Sequence, residues 1–210
     1  MLIIGAKGFA KEVLEILQQR GETQNLCFYD DVNKDIPKML YDIFPVLNNL
    51  EQAKAHFNSN GSNFALGIGK PSLRFQLYQK FTASGGLLTS TISKNAEIGS
   101  FNIKVGKGCN ILGGVKISND VSIGRGTMIY YNSIITHDVT IGQFCEISPD
   151  VKLLGRCIIG DFVRIGSGSI VFPDVTIGCN VVIAAGSVVR SDVLDNVMVA
   201  GVPAQIKKRL

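Results

Sequence analysis

The sequence predicts two joined folds, a small Rossmann-like α/β domain over residues 1–85 and a β-solenoid of hexapeptide repeats over residues 86–210. Three observations carry the solenoid. Every sixth residue from Val105 to Val189 is Ile, Leu or Val, with no insertion in the count. The residue four places after each of these stops is small or β-branched, as at Cys109, Val115, Thr127, Ser133 and Ser169. Glycine follows every third stop, at Gly106, Gly124, Gly142, Gly160 and Gly178. A period of six matches neither a helix nor a long strand. It matches short flat strands joined by corners, each sending a hydrophobe inward. Eighteen residues then make one three-sided coil, and the run supplies about five coils. The recurring glycines are expected at corners, where a residue without a Cβ is best tolerated.

The α/β expectation comes from the elements before the repeat. Leu2-Ile3-Ile4 reads as a short strand, Gly5-Ala6-Lys7-Gly8 as a turn, and Val13, Leu14, Ile16 and Leu17 as the apolar face of a helix. The amides at such a helix start can hold a phosphate. Leu26 to Tyr29 reads as a second strand ending in Asp30-Asp31, an acidic pair that faces either ribose or solvent. Phe64 to Ile68 reads as a third, closed by Gly69 and Lys70. Pro71 then opens a helix through Leu73, Leu77, Tyr78 and Phe81. A Gly85-Gly86 break follows. Ile92 and Ile98 are out of phase with Val105, so the solenoid is expected to begin near residue 90 with one irregular coil. After Val189 the repeat stops. Gly201-Val202-Pro203-Ala204 turns the chain, and a basic tail through Lys207, Lys208 and Arg209 is expected to cap the open end of the stack.

Composition narrows the function classes. Hydrophobic residues make up 46% of the 210 positions, enough for a real core. The formal net charge is only +4 and the one dense basic cluster lies at the C-terminus, which argues against a nucleic-acid binder. Cys109, Cys145 and Cys157 fall on inward repeat positions, Cys27 in a strand-like run and Cys179 in a corner. No CxxC pair exists, so neither disulfides nor a cysteine-based metal site is expected. The first residues lack a long apolar stretch, so a cytoplasmic protein with no signal peptide and no membrane partner is expected.

The run of hexads resembles the hexapeptide-repeat acyltransferases, whose solenoid is a left-handed parallel β-helix. Handedness follows from the resemblance alone, since the general preference in parallel crossovers is right-handed. Over the whole length the chain is similar to sugar N- and O-acyltransferases that join a Rossmann-like domain to that helix, the group of bacillosamine-pathway and sialic acid acetyltransferases. The residues that carry the likeness are Ile4 to Ala10, Asp30-Asp31, Ile68-Gly69 with Arg74, Ile135 to Asp138 before Ile141-Gly142, and Gly201 to Ala204.

The resemblance implies an acetyl-CoA-dependent transfer to the amine of a UDP-linked amino sugar in bacterial surface glycan assembly, by a homotrimer using no metal. It makes His137 the base and Asp138 its partner. It sets acetyl-CoA along Glu146, Gly155, Ser167, Ala185, Val202, Pro203 and Lys207. It sets the nucleotide sugar at Gly5, Lys7, Gly8, Asp30, Asp31, Gly69 and Lys70. The residues themselves fit that chemistry. Thioester aminolysis needs a base active near neutral pH, and the chain has two histidines. His56 lies in a polar stretch and is expected at the surface. His137 lies two places after an inward Ile135 and is expected to point outward at a corner, where it is either solvated or functional. Gly155, one eighteen-residue step beyond His137, is expected directly over it, with an amide that can meet an oxyanion. Two departures from the group stand out. Glu146 occupies the place of a second histidine found in some relatives, and Lys70-Pro71 replaces an amide-rich pair.

Three alternatives remain on sequence grounds. O-acetylation of sialic acid or another sugar would dispense with UDP. A zinc carbonic anhydrase on the same helix needs three histidines, which the chain lacks. A non-catalytic scaffold would not bind coenzyme A.

Overall fold

Short apolar runs between turn signals build the first sheet. In the computed structural model, which describes residues 1–210, these are β1 (Leu2–Ile4), α1 (Gly8–Arg20), β2 (Cys27–Tyr29), β3 (Met39–Leu40), β4 (Phe44–Leu47), α2 (Leu50–Asn60), β5 (Asn63–Leu66), α3 (Pro71–Ala83) and β6 (Leu87–Leu88). The strand order is β3-β4-β2-β1-β5-β6, parallel except for the β3–β4 hairpin. Helix α1 buries Val13, Leu14, Ile16 and Leu17, the face read from the sequence, and ends on Gly21 at φ +75°. The chain forms two compact units, 1–93 and 94–210, so residues 86–93 belong with the first.

Sequence reasoning missed α2 and the hairpin. Helix α2 buries only Ala53, His56 and Phe57, too few apolar positions for a periodic signal. Its readable mark was the cap: Asn49 accepts from the Gln52 amide at 2.9 Å, three residues into the helix. This helix also corrects the surface placement of His56. The residue is 6% exposed, and its Nε2 is buried without a hydrogen-bond partner. Burial lowers its pKa from the ordinary value. The unfolded chain therefore takes up a proton that the folded chain refuses as pH falls below about 6.5. Stability should fall with pH below that point and level off beneath the folded pKa. Thermal unfolding of wild type and His56→Leu between neutral and mildly acidic pH measures this, and equal slopes in both would refute it.

Arg74 is the buried charged side chain of this unit. It is fully buried in α3 and donates from Nη1 to the carbonyls of Ile68 at 2.7 Å and Leu66 at 3.2 Å. Its charge thus pins the chain just past β5 to the helix that follows.

The second unit is a three-sided coil of two-residue strands. One face stacks Asn110–Ile111, Met128–Ile129, Glu146–Ile147, Arg164–Ile165 and Val182–Ile183; we call it face A. Face B stacks Glu97–Ile98, Lys116–Ile117, Ile134–Ile135, Lys152–Leu153, Ile170–Val171 and Val188–Val189. Face C stacks Lys104–Val105, Ser122–Ile123, Thr140–Ile141, Ile158–Ile159 and Thr176–Ile177. Every pairing is parallel and displaced by eighteen residues within the regular run, and the step from Ile98 to Ile117 absorbs the extra residue before Val105.

From Ile111 to Val189 the aliphatic stops are buried, and each contributes roughly 1.5–3 kcal/mol by leaving water. The hydroxyls at inward positions are satisfied by carbonyls one coil on, as Thr127 Oγ1 to Gly142 O at 2.8 Å and Ser169 Oγ to Ala184 O at 2.9 Å. Burial pushes the thiols of Cys145 and Cys157 up to about 12, so they pack as apolar groups.

The periodic glycines have a different cause from the one expected. A Cβ on Gly124 would lie 2.4 Å from the backbone of Gly142, and one on Gly160 would lie 2.8 Å from the backbone of Cys179. Close stacking of successive coils requires them, not corner conformation. The left-handed corners are held mostly by Asn, Asp, Phe and other glycines, among them Asp138 at φ +62°. Past Val189, Val197–Gly201 stacks in parallel on Val182–Ile183, and Ala204–Arg209 returns antiparallel along its edge. The basic tail therefore closes the edge of face A, with Lys207 exposed.

Candidate functional site

The solenoid places His137 at the corner between faces B and C, just after the Ile134–Ile135 strand. The left-handed backbone of Asp138 turns its carboxylate back beside the ring, and Oδ2 lies 2.7 Å from His137 Nδ1. Neighbouring side chains on a straight strand point to opposite sides; the corner is what brings these two together. Both are about half exposed, 55% and 51%, so the dyad is open to a substrate. The coil above holds it from behind. Arg156 N donates to His137 O at 3.1 Å. A Cβ on Gly155 would lie 2.7 Å from His137 Cε1 and 2.8 Å from Nε2, so the imidazole rests on a place only glycine leaves empty. Beside the ring, an open groove of about 570 Å³ runs along face B, with Ile117, Ile134, Ile135 and Thr136 in its floor and the Lys116–Glu97 ion pair at its side.

The other candidate cofactor residues lie elsewhere on the coil. Ser167 and Ala185 are exposed at the corner between faces A and B, one coil apart. Val202 and Pro203 are exposed in the terminal hairpin, and Gly201 N reaches Ser187 Oγ of that corner at 3.3 Å. Glu146 lies on face A and accepts from Arg164 Nε at 3.0 Å. Face B separates this set from His137. One chain thus brings Gly155 to His137 but leaves Glu146, Ser167, Ala185, Val202, Pro203 and Lys207 one or more faces away.

The first unit carries a second candidate site at the C-terminal ends of its parallel strands. There the order turns, with β2 on one side of β1 and β5 on the other, the usual ligand crevice of an open α/β sheet. Gly5 ends β1 at φ +107°, and a Cβ there would meet Gly67 O at 2.8 Å. Helix α1 starts at Gly8 with no side-chain cap on Lys7, and space over Gly8 is open. Lys7 reaches Asp35 at 3.3 Å across the surface. Gly69 and Lys70 precede α3 on the far side of β1.

The acidic pair splits in role. Asp30 Oδ1 accepts from the amides of Val32 and Asn33, shaping the loop that walls an open cleft of about 400 Å³. Asp31 Oδ2 accepts from Lys80 Nζ at 2.8 Å and Tyr29 Oη at 2.8 Å. Burial pulls the Asp31 pKa up, but the hydrogen bonds from Lys80 and Tyr29 outweigh it and hold the carboxyl below its ordinary value. Asp31 therefore stays an anion engaged on α3. Sequence reasoning did not find Lys80, Arg156 or Asp174. The last two were readable, since they follow Asp138 by one and two eighteen-residue steps.

A triangular hexapeptide coil with an outward His–Asp pair, preceded by an α/β nucleotide-type domain, defines a hexapeptide-repeat acyltransferase. Comparison with known proteins agrees. Residues 1–81 match the PglD N-terminal domain, and residues 138–173 match the bacterial transferase hexapeptide (six repeats). PerB from Caulobacter crescentus, solved with CoA and GDP-perosamine, is 32% identical with a TM-score of 0.89, over 99% of this chain and 96% of that one. The acetyltransferase domain of PglB from Neisseria gonorrhoeae, solved with acetyl coenzyme A, is 26% identical with a TM-score of 0.87, over 98% of both chains. WeeI from Acinetobacter baumannii shares the fold at 24% identity and a TM-score of 0.88, over 98% of both chains. No curated protein matches the sequence significantly. The chain belongs to the family of sugar acetyltransferases that join a PglD-type N-terminal domain to a left-handed hexapeptide β-helix.

Proposed function

We propose that the protein moves the acetyl group of acetyl-CoA to the amine of a nucleotide-linked amino sugar, with His137 as general base. The observation that carries this reading is the His137–Asp138 pair seated on Gly155. The amine nitrogen attacks the thioester carbonyl, His137 Nε2 takes its proton, and the thiolate of coenzyme A leaves. Asp138 on Nδ1 fixes the tautomer that exposes Nε2 as acceptor and stabilises the imidazolium. The Gly155 amide is the candidate donor to the oxyanion. Acetyl-CoA is the acyl donor, as the CoA and acetyl-CoA complexes of PerB and PglB support.

In this reading Gly5, Lys7, Gly8, Asp30, Gly69 and Lys70 line the nucleotide-sugar crevice, with Asp31 holding its wall. Ser167, Ala185, Val202, Pro203 and Lys207 carry the cofactor, with Glu146 beside them. Because face B separates those residues from His137 in one chain, we infer a homotrimer in which a neighbouring copy brings its cofactor corner to this chain's base. No helix is long and apolar enough to cross a membrane, and the proposed substrates set the reaction in the cytoplasm.

Thermal unfolding with about 1 mM acetyl-CoA, and separately with UDP- and GDP-linked amino sugars, tests the reading. Acetyl-CoA should raise Tm, and one nucleotide sugar should raise it and gain one acetyl group by mass spectrometry. The neighbour PerB takes GDP-perosamine, so the GDP and UDP arms decide the carrier. No response to acetyl-CoA would overturn the function. A monomer by light scattering that retains activity would overturn the shared site.

A further inference from the structure

One column of side chains runs up the corner that holds the dyad. Asn102, Asp120, Asp138, Arg156 and Asp174 recur every eighteen residues, all with left-handed backbones, φ +51° to +65°. The amides of Asp138, Arg156 and Asp174 each donate one coil down, to Asn119, His137 and Gly155, which fixes the spacing of the column. Stacked strands of this kind lie about 4.8 Å apart. Arg156 therefore stands between two carboxylates, one coil below and one coil above. It takes the upper one in a two-pronged pair, Nε to Asp174 Oδ1 at 2.6 Å and Nη2 to Asp174 Oδ2 at 2.8 Å. The lower carboxylate, Asp138, remains with His137 Nδ1 at 2.7 Å.

We propose that Asp174 is a positioning residue for the acetyl-transfer site: by engaging Arg156 it keeps the guanidinium off Asp138 and leaves that carboxylate to His137. The inference rests on the reading of His137 as the base. The hydrogen bond to Asp174 is the main cause that holds the Arg156 pKa above its ordinary value, and the charge of Asp138 adds to it, so Arg156 already feels the lower carboxylate. The other charged groups near the corner are engaged elsewhere. Asp120 accepts from Asn102 Nδ2 at 3.0 Å, Lys116 pairs with Glu97 on face B, and Lys152 donates to Asp150 O at 3.4 Å. Without Asp174, the free fork of Arg156 has one carboxylate within one coil, and a guanidinium binds a carboxylate through both oxygens. That contact would draw Asp138 from Nδ1 and set a positive charge beside the imidazolium, and both changes weaken the base.

The test follows the imidazole of His137 by NMR in full-length protein labelled at histidine, assigned by its loss in His137→Gln. Titrations are run at an ionic strength of about 0.15 M, where charges beyond about 8 Å are screened. In Asp174→Asn the His137 midpoint should lie below that of wild type, because a positive charge then stands beside the imidazolium, with Tm close to wild type. Asp174→Glu, which retains the fork partner, should restore the midpoint, and so should Asp174→Asn combined with Arg156→Gln. If acetyl transfer is the reaction, its plateau rate should fall about tenfold in Asp174→Asn and recover in the double variant. An unmoved midpoint in folded Asp174→Asn overturns the proposal, as does a shift that persists when Arg156 is also removed. The NMR readout reports on the imidazole whether or not the protein transfers acetyl groups, so failure of the column and failure of the functional reading are told apart.

Discussion

His137→Ala is expected to lower kcat for acetyl transfer by about 10²–10⁴-fold, the usual range for loss of a general base. Coenzyme A affinity should change little, because Ser167, Ala185 and the terminal hairpin lie off the His137 corner. The fold should be unaffected, since the side chain is 55% exposed. Asp138→Asn should cost less, because it removes orientation and charge yet leaves the imidazole. Steady-state kinetics at saturating substrate, with CoA binding measured separately, separates these effects. Near-full kcat in His137→Ala would exclude proton removal by this residue and leave proximity as the remaining source of rate.

Gly155→Ala is expected to cut kcat by about 10²-fold with Tm nearly unchanged. The added methyl would occupy a point 2.7 Å from His137 Cε1 and 2.8 Å from Nε2. The three atoms nearest to it all belong to the imidazole, the half-exposed end of a side chain. The ring can swing aside at little cost to folding. It cannot do so and hold its angle to the acceptor, and a displacement of about 1 Å in a reacting group is worth about 10²-fold. Kinetics beside a thermal scan reads both halves. A Gly155→Ala enzyme with wild-type kcat would mean that the resting place of the ring does not set its working geometry. A large loss of Tm would mean instead that the coil, and not the ring, gives way.

The same contrast between position and surroundings runs through His56. As a surface residue it would be neutral on substitution. Buried in α2 with an unpartnered Nε2, it is expected to act on stability and its pH dependence, not on kcat.

The sequence alone determined the coil. A hexad count from Val105 to Val189 assigns every inward aliphatic, because each short strand must bury one hydrophobe and stacking repeats the demand without variation. The count also set Gly155 over His137, since equal steps in a regular solenoid are vertical neighbours. Strands β1, β2 and β5 and helices α1 and α3 of the α/β unit were legible for a related reason, apolar runs set between glycine and proline breaks. What the sequence could not decide were contacts set by backbone shape at single points. The left-handed turn at Asp138 folds its carboxylate onto Nδ1, against the alternation a strand would impose. The stacking glycines look like corner residues until the neighbouring coil shows the space a Cβ would need. Arg156 had two carboxylates within equal reach in the count, and only the folded corner assigns it to Asp174. Asp30 and Asp31 read alike in the sequence, facing either ribose or solvent, yet α3 brings Lys80 onto Asp31 from 49 residues away, beside Tyr29 at the end of β2. Periodicity fixes which residues share a column or a core, because burial repeats. Which of several polar partners a side chain takes depends on ångström-scale geometry that no local pattern encodes.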